Sequence, residues 1–315
     1  MRRMVFAGCS FTHSGESWAY QPQPNNIPRV ENMKPGDIDD EEHRGVWGRH
    51  LLTEQGDNYA KKYGVDKSIF EPDNFFKNSK PLSENDYEIN IFGRGSNSNT
   101  DTARCIMHFI ENYEYEIDTV VMQISGFSRR ELFTSSQEVR DNAKILDYEH
   151  NVTQYDDATF IKHWGAIDYN EVLQEENPCP FRKASAYFYS AINEPEEYHI
   201  RAIEQLQSLT NFCKANNIKL GYFHGWDNKP RQAHMQDYEA DYSNHTGIGT
   251  QYFEKKYNRY VKPHLLSQDS IISYAQKHLE EKFVYDLQRN GEHGGHPCPL
   301  AHQKYWNDIV YPFVV

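Results

Sequence analysis

The sequence predicts an α/β sandwich built around a mostly parallel sheet. Three observations carry this. Two apolar runs, Met4–Gly8 and Thr119–Ile124, have the near-continuous hydrophobicity of strands covered on both faces. Ile200, Ile203, Leu206, Leu209 and Phe212 recur every three residues along 199–215, and Cys213 widens that stripe into the buried side of a helix. Strand, loop and helix then alternate over long distances, the order that lays parallel strands side by side beneath helices.

Met4-Val5-Phe6-Ala7-Gly8 is the first strand, and it stops at Gly8-Cys9-Ser10. Residues 20 to 45 hold Gln21-Pro22-Gln23-Pro24-Asn25-Asn26 and the acidic stretch Asp37–Glu42, and read as an exposed excursion. Val46–Leu52 reads as a helix, whereas 62 to 86 shows no period. Tyr87–Phe92 is the second strand. After the polar turn Gly93–Thr100 comes a helix that Ser98 and Asp101 open as a capping box, with Ile106, Phe109, Ile110 and Tyr113 on its inner side. Thr119–Ile124 is the central strand. Residues 132 to 197 read as an insertion with two helices, a stop at Asn177-Pro178-Cys179-Pro180 and many aromatics. Asn216-Asn217 ends the 199–215 helix, and Ile218–His224 is the next strand. Residues 227 to 260 are polar and Tyr-rich, a loop with a short helix. Asp269–Tyr274 reads as a last strand, with a short helix as the alternative. Leu300–Val310 closes the chain as a helix, turning Leu300, Trp306, Ile309 and Val310 inward.

Composition narrows the function. The 315 residues carry 33 Lys plus Arg against 46 Asp plus Glu, a formal charge of -13, which argues against broad binding to nucleic acid or to an anionic membrane. There is no apolar run of membrane-spanning length. Met1-Arg2-Arg3 leads into only a short apolar piece, so no secretory signal is expected. The protein is expected to be cytoplasmic, or released by lysis or within a virion. Cys9, Cys105, Cys179, Cys213 and Cys298 are odd in number and lack a CxxC, as expected of reduced thiols.

Three polar clusters follow strands or precede the last helix. Ser10 comes directly after the first strand, where backbone amides at a strand-to-helix turn converge on a developing oxyanion; an N-cap serine is the plainer alternative. Gly95-Ser96-Asn97 combines a glycine that lets the backbone approach a ligand with an amide side chain able to donate to an oxyanion. Glu292-His293-Gly294-Gly295-His296-Pro297 supplies histidine, the natural general base near neutral pH. His293, His296 and His302 are close in sequence but lack the helical HExxH spacing of a zinc site, so no metal is expected.

Together these clusters resemble the SGNH (GDSL-type) hydrolase superfamily, including SGNH-like proteins of tailed phages and marine bacteria. Phe6-Ala7-Gly8-Cys9-Ser10-Phe11-Thr12 is similar to the family's nucleophile block, with Cys9 in place of Asp. Asn90-Ile91-Phe92-Gly93-Arg94-Gly95-Ser96-Asn97 is similar to its glycine block, and His296-Pro297 before a final helix to its histidine block. The third block departs. Where the family has Gly-x-Asn-Asp, this chain has Gln123-Ile124-Ser125-Gly126-Phe127-Ser128-Arg129-Arg130-Glu131. The family acid lies three residues before the histidine, but position 293 is His and the acid is Glu292.

The resemblance implies a flavodoxin-like three-layer α/β/α sandwich with a five-stranded sheet, formed by one domain over 1–315 with insertions at about 20–85, 132–197 and 227–265. It implies a serine esterase without cofactors. Ser10 is the nucleophile, His296 the base and Glu292 its acid, and Ser10, Gly95 and Asn97 form the oxyanion hole. Gln123, Arg129 and Trp226 are the expected substrate contacts. The expected substrate is a small-molecule or glycan ester with a short acyl group, O-acetyl groups on a carbohydrate being the candidate, because Tyr169, Tyr187, Tyr189, Trp226, Tyr238 and Tyr242 could stack on sugar rings. The alternative is a non-catalytic SGNH-like module that binds glycan or supports a virion assembly.

Overall fold

The computed structural model describes residues 1–8, 46–80, 82, 86–93, 98–113, 115–125, 130–134, 152–155, 158–163, 195–225, 248–287 and 290–315. A parallel sheet of four strands forms its centre. β1 (Arg2–Gly8) pairs on one side with β2 (Tyr87–Gly93) and on the other with β3 (Thr119–Ile124). β7 (Lys219–His224) lies beyond β3, giving the order β2-β1-β3-β7. The register aligns Gly8 with Gly93, Ala7 with Met122 and Ile124 with His224, so the four carboxyl ends finish at one edge.

Alternation along the strands sorts the core into two layers. Met4, Phe6, Val121 and Phe223 point into one, Val5, Ala7, Val120, Met122, Ile124 and Tyr222 into the other. All six residues of β3 are buried, as its unbroken apolar run requires of a strand with helices on both sides.

The second layer is covered by α3 (Asn99–Asn112), α4 (Pro195–Ala215) and α5 (Ile248–Tyr260). Ser98 caps α3 by accepting the Asp101 N–H at 3.0 Å, the N-cap half of the expected box. α4 ends where Asn216-Asn217 predicts. Asn217 takes a left-handed φ of 57°, and the Ile218 N–H reaches back to the Cys213 carbonyl at 2.8 Å.

The first layer is drawn from far-apart segments. It contains α1 (Val46–Tyr63), a 3-10 turn at Lys67–Phe70, α6 (Ile271–His278), α7 (Pro299–Tyr305) and α8 (Tyr311–Val314), and α2 (Pro72–Asn78) joins its margin, where Phe75 packs with Leu52 and Leu300. Tyr59 is wholly buried and stacks on Phe70 and Phe283, with ring centroids 4.9 and 5.5 Å apart. Val46–Leu52, read as a helix, is the start of α1, and within 62–78, read as lacking a period, Phe70 and Phe75 are buried. These two lie on elements too short to show a period. α7 runs into α8 through a π-helical turn, Trp306–Val310. There Asn307 Oδ1 accepts the Lys80 N–H at 2.7 Å and Trp306 Nε1 donates to the Lys80 carbonyl at 2.9 Å, pinning the end of the α2 segment.

Two expectations are corrected among the described residues. The sheet has four strands, not five. Asp269–Tyr274 is the alternative helix: Ser270 caps α6 through the Ser273 N–H at 3.1 Å. Beside the open edge of β7 stands only a single parallel bridge, Leu265 to Tyr222, with the Leu266 N–H donating to the Tyr222 carbonyl at 2.8 Å. Between 130 and 163 the described residues form strands. β4 (Arg130–Thr134), β5 (Val152–Tyr155) and β6 (Ala158–His163) make an antiparallel sheet of order β4-β6-β5. Val152-Thr153-Gln154-Tyr155 and Thr159-Phe160-Ile161 are β-branched and aromatic, as strands favour.

The end of the chain lies at the amino edge of the sheet. Arg2 Nη1 donates to the Val315 carbonyl at 2.9 Å, and Lys219 Nζ donates to that of Phe313. Gly221 makes room for this packing. A Cβ there would stand 2.7 Å from Leu266 Cδ2 and 2.8 Å from Phe313 Cε1. We predict that Gly221→Ala lowers stability by about 1–3 kcal/mol, the usual range for an overpacked core, measured by urea unfolding.

Candidate functional site

The carboxyl edge of the sheet is where an open α/β fold places ligands. One side of that edge is built by α3. Asn99 is buried and grips the end of β3 twice. Its Oδ1 accepts the Ser125 N–H at 2.8 Å and its Nδ2 donates to the Ser125 carbonyl at 2.9 Å. Asp101, with no exposed surface, sits in the first turn of the same helix, where the macrodipole favours an anion, and Arg104 Nη2 stands 3.4 Å from its carboxylate.

The other side is built by a hairpin, β8 (Tyr285–Leu287) and β9 (His293–Pro297). The segment from Pro299 to Val314 spans roughly 24 Å at helical rise, about the length of β1. Its far end meets Arg2 and Lys219 at the amino edge, and Trp306 packs on Phe6 further along β1 with ring centroids 5.9 Å apart, so the segment runs from the side of the carboxyl edge toward the amino edge.

The hairpin pairs Tyr285 with Pro297 and Leu287 with His293, and a bulge between these pairs leaves Asp286 facing residues 294–296. Asp286 Oδ1 accepts the His296 N–H at 3.0 Å. Burial pushes the Asp286 carboxyl above the ordinary carboxylate range, against the opposing pull of the His296 charge, the His296 amide and the His293 charge. His293 is held below the ordinary histidine value by burial and by the nearby Lys62 ammonium, with Asp286 opposing. Its Nε2 stands 3.5 Å from the Tyr63 hydroxyl.

Glu292 is exposed and turns to Asn290 instead. Its Oε2 accepts from Asn290 Nδ2 at 2.9 Å, and its N–H donates to Asn290 Oδ1 at 2.9 Å. Gln123, on β3, is wholly buried and alternates with Met122 and Ile124, so it points into the layer of α1 and α7. Ser10, Gly95, Asn97, Arg129 and Trp226 lie outside the described residues, as do the other aromatics proposed to stack on sugar.

Sequence reading missed Asp286 and the side chains of α1 that hold its strand. The signal available was Asn290-Gly291, a turn-forming dipeptide inside the loop that joins Leu287 to its partner His293. Gly291 takes a φ of 83° there.

Beneath the hairpin, Cys298 and His302 are buried at the start of α7. Burial pushes the Cys298 thiol up to about 12, which makes it a poor nucleophile at neutral pH. Burial, aided by the His296 charge, pulls His302 down to about 3, so it is held neutral. Among the described residues, no three His, Cys, Asp or Glu side chains are grouped to hold a metal ion, and no helix is long and apolar enough to cross a membrane. The chain matches no known protein family's sequence pattern and no curated protein.

The buried His302 gives a prediction in acid. Its folded value near 3 lies below its ordinary 6.5, so between these the unfolded chain binds the extra proton. Its contribution is complete above about 6.5 and is lost as pH falls toward 3, at about 1.4 kcal/mol per pH unit within that window. The urea midpoint of the wild type should therefore drop between pH 6.5 and 4 more steeply than that of His302→Gln, followed by circular dichroism.

Proposed function

We propose that the protein is a serine esterase acting on short-chain esters, with O-acetyl groups on a carbohydrate as the candidate substrate. The observation that carries the reading is the hydrogen bond by which Asp286 Oδ1 accepts the His296 N–H on the hairpin. The parallel order of the central strands, with the Leu265 bridge standing where a fifth would pair, supports the flavodoxin-like architecture that the SGNH resemblance implies.

In this mechanism Ser10 attacks the ester carbonyl while His296 takes its proton, and His296 returns that proton to the leaving alcohol. Water then cleaves the acyl-enzyme by the same exchange. The amides of Ser10 and Gly95, with the Asn97 side chain, stabilise the oxyanion. Asp286, rather than Glu292, supports the imidazolium. The Asp286 carboxylate is tied to the His296 backbone, whereas the Glu292 carboxylate is spent on Asn290.

The test is hydrolysis of p-nitrophenyl acetate in EDTA. Ser10→Ala and His296→Ala should each lose activity by at least about a thousandfold. Asp286→Asn should lose on the order of a hundredfold or more, while Glu292→Gln stays within about twofold. Equal rates for wild type and Ser10→Ala would overturn the esterase reading and favour a glycan-binding module, to be screened on immobilised glycans.

A further inference from the structure

α1 meets the β8 strand through polar side chains at one-turn spacing. Gln55, buried, uses both ends of its amide on a single residue. Its Nε2 donates to the Leu287 carbonyl at 2.9 Å and its Oε1 accepts the Leu287 N–H at 2.9 Å. Asn58 Nδ2 donates to the same carbonyl at 3.0 Å. The Tyr59 hydroxyl, kept protonated by burial, donates to the Tyr285 carbonyl. Lys62 Nζ donates to the Gly291 carbonyl at 2.5 Å, on the turn of the hairpin.

These contacts share one geometry. Gln55 offers Leu287 a donor and an acceptor side by side, as a neighbouring strand would, so a helix replaces a strand at the outer edge of β8. The anchored carbonyls, of residues 285 and 287, flank Asp286 on both sides. Fixing the backbone on either side of a residue in a strand fixes the direction of its side chain. Here that side chain is the carboxylate that accepts the His296 N–H. Core support alone does not require this polarity, because Tyr59 already gives α1 apolar contact by stacking on Phe70 and Phe283.

We infer that Gln55, together with Asn58 and Tyr59, is a positioning device for the Asp286–His296 pair: α1 acts as a surrogate strand that holds the acid of the proposed esterase in line with its histidine. The inference rests on the esterase reading above. Gln55 touches neither substrate nor reacting atoms in this account. It acts through Asp286.

The test compares wild type, Ser10→Ala, Gln55→Met and Asp286→Asn. Gln55→Met keeps the length of the side chain and removes both polar ends. Two readouts are taken on each: the pH profile of kcat and KM with p-nitrophenyl acetate, and amide hydrogen exchange resolved to single residues. We expect Gln55→Met to lower kcat about tenfold, with KM within about twofold, and to move the acid limb of the kcat profile in the same direction as Asp286→Asn. Exchange should quicken at the Leu287 and His296 amides, while Val121 and Leu220 in the central sheet keep their protection. A wild-type kcat and pH profile in Gln55→Met would overturn the inference. So would exchange that quickens evenly across the sheet with kcat tracking the folded fraction, since α1 would then be a support and nothing more. Equal hydrolysis by wild type and Ser10→Ala would remove the esterase reading. The exchange pattern then decides separately whether Gln55 holds the hairpin: local quickening keeps that role, and its absence ends it.

Discussion

A parallel sheet has two faces, and neither can be left wet. β1 and β3 run through the centre as apolar strands, and every other element follows from the need to cover them on both sides. The two coverings are made differently. α3 and α4 lead directly into the strands that follow them, so one layer is assembled by ordinary crossovers. The opposite layer has no such local supply. It draws α1, α2, α6, α7 and α8 from both ends of the described chain and locks them with Tyr59, Phe70, Phe283, Tyr305 and Trp306.

The proposed chemistry sits where that second covering closes. The β8–β9 hairpin is no part of the parallel sheet. It is held by α1 through Gln55, Asn58, Tyr59 and Lys62 and continues into α7 through the buried Cys298. His296 is thereby an exposed residue on a hairpin that is braced behind. A base needs both: access to the proton it takes, and an orientation that costs nothing to recover on each turnover.

The strands were legible because each concentrates its signal in a few consecutive residues. Met4–Gly8, Tyr87–Phe92, Thr119–Ile124 and Ile218–His224 all became strands within two residues of their predicted bounds. Ser98 and Asn217 marked helix ends because capping and left-handed turns depend on local chemistry. Beyond the helix read at Val46–Leu52, the α1–α2 region was not legible. Phe70 and Phe75 lie on short elements without a period, and only the folded layer relates them to Tyr59 and Leu52. Asp286 was missed for a related reason. The acid was sought by distance along the chain from His296, while a hairpin sets partners by pairing across strands. Ser270 shows the limit of hydropathy alone: Ile271-Ile272 suits a strand or a helix equally, and the cap decides.

The division between the two coverings also has a kinetic meaning. Contacts such as Tyr59 with Phe283, or Arg2 with Val315, join residues separated by most of the chain, whereas Leu206 and Tyr222 meet across a single helix–strand connection. Closing a long loop is an entropic cost that must be met before its contacts form, so high contact order delays a structure's completion. The α3–α4–α5 side is the half able to form early. The side carrying the histidine hairpin is completed last and is the natural first unit to open under mild denaturant, leaving a folded remnant of sheet and crossover helices from which the proposed chemistry has already gone.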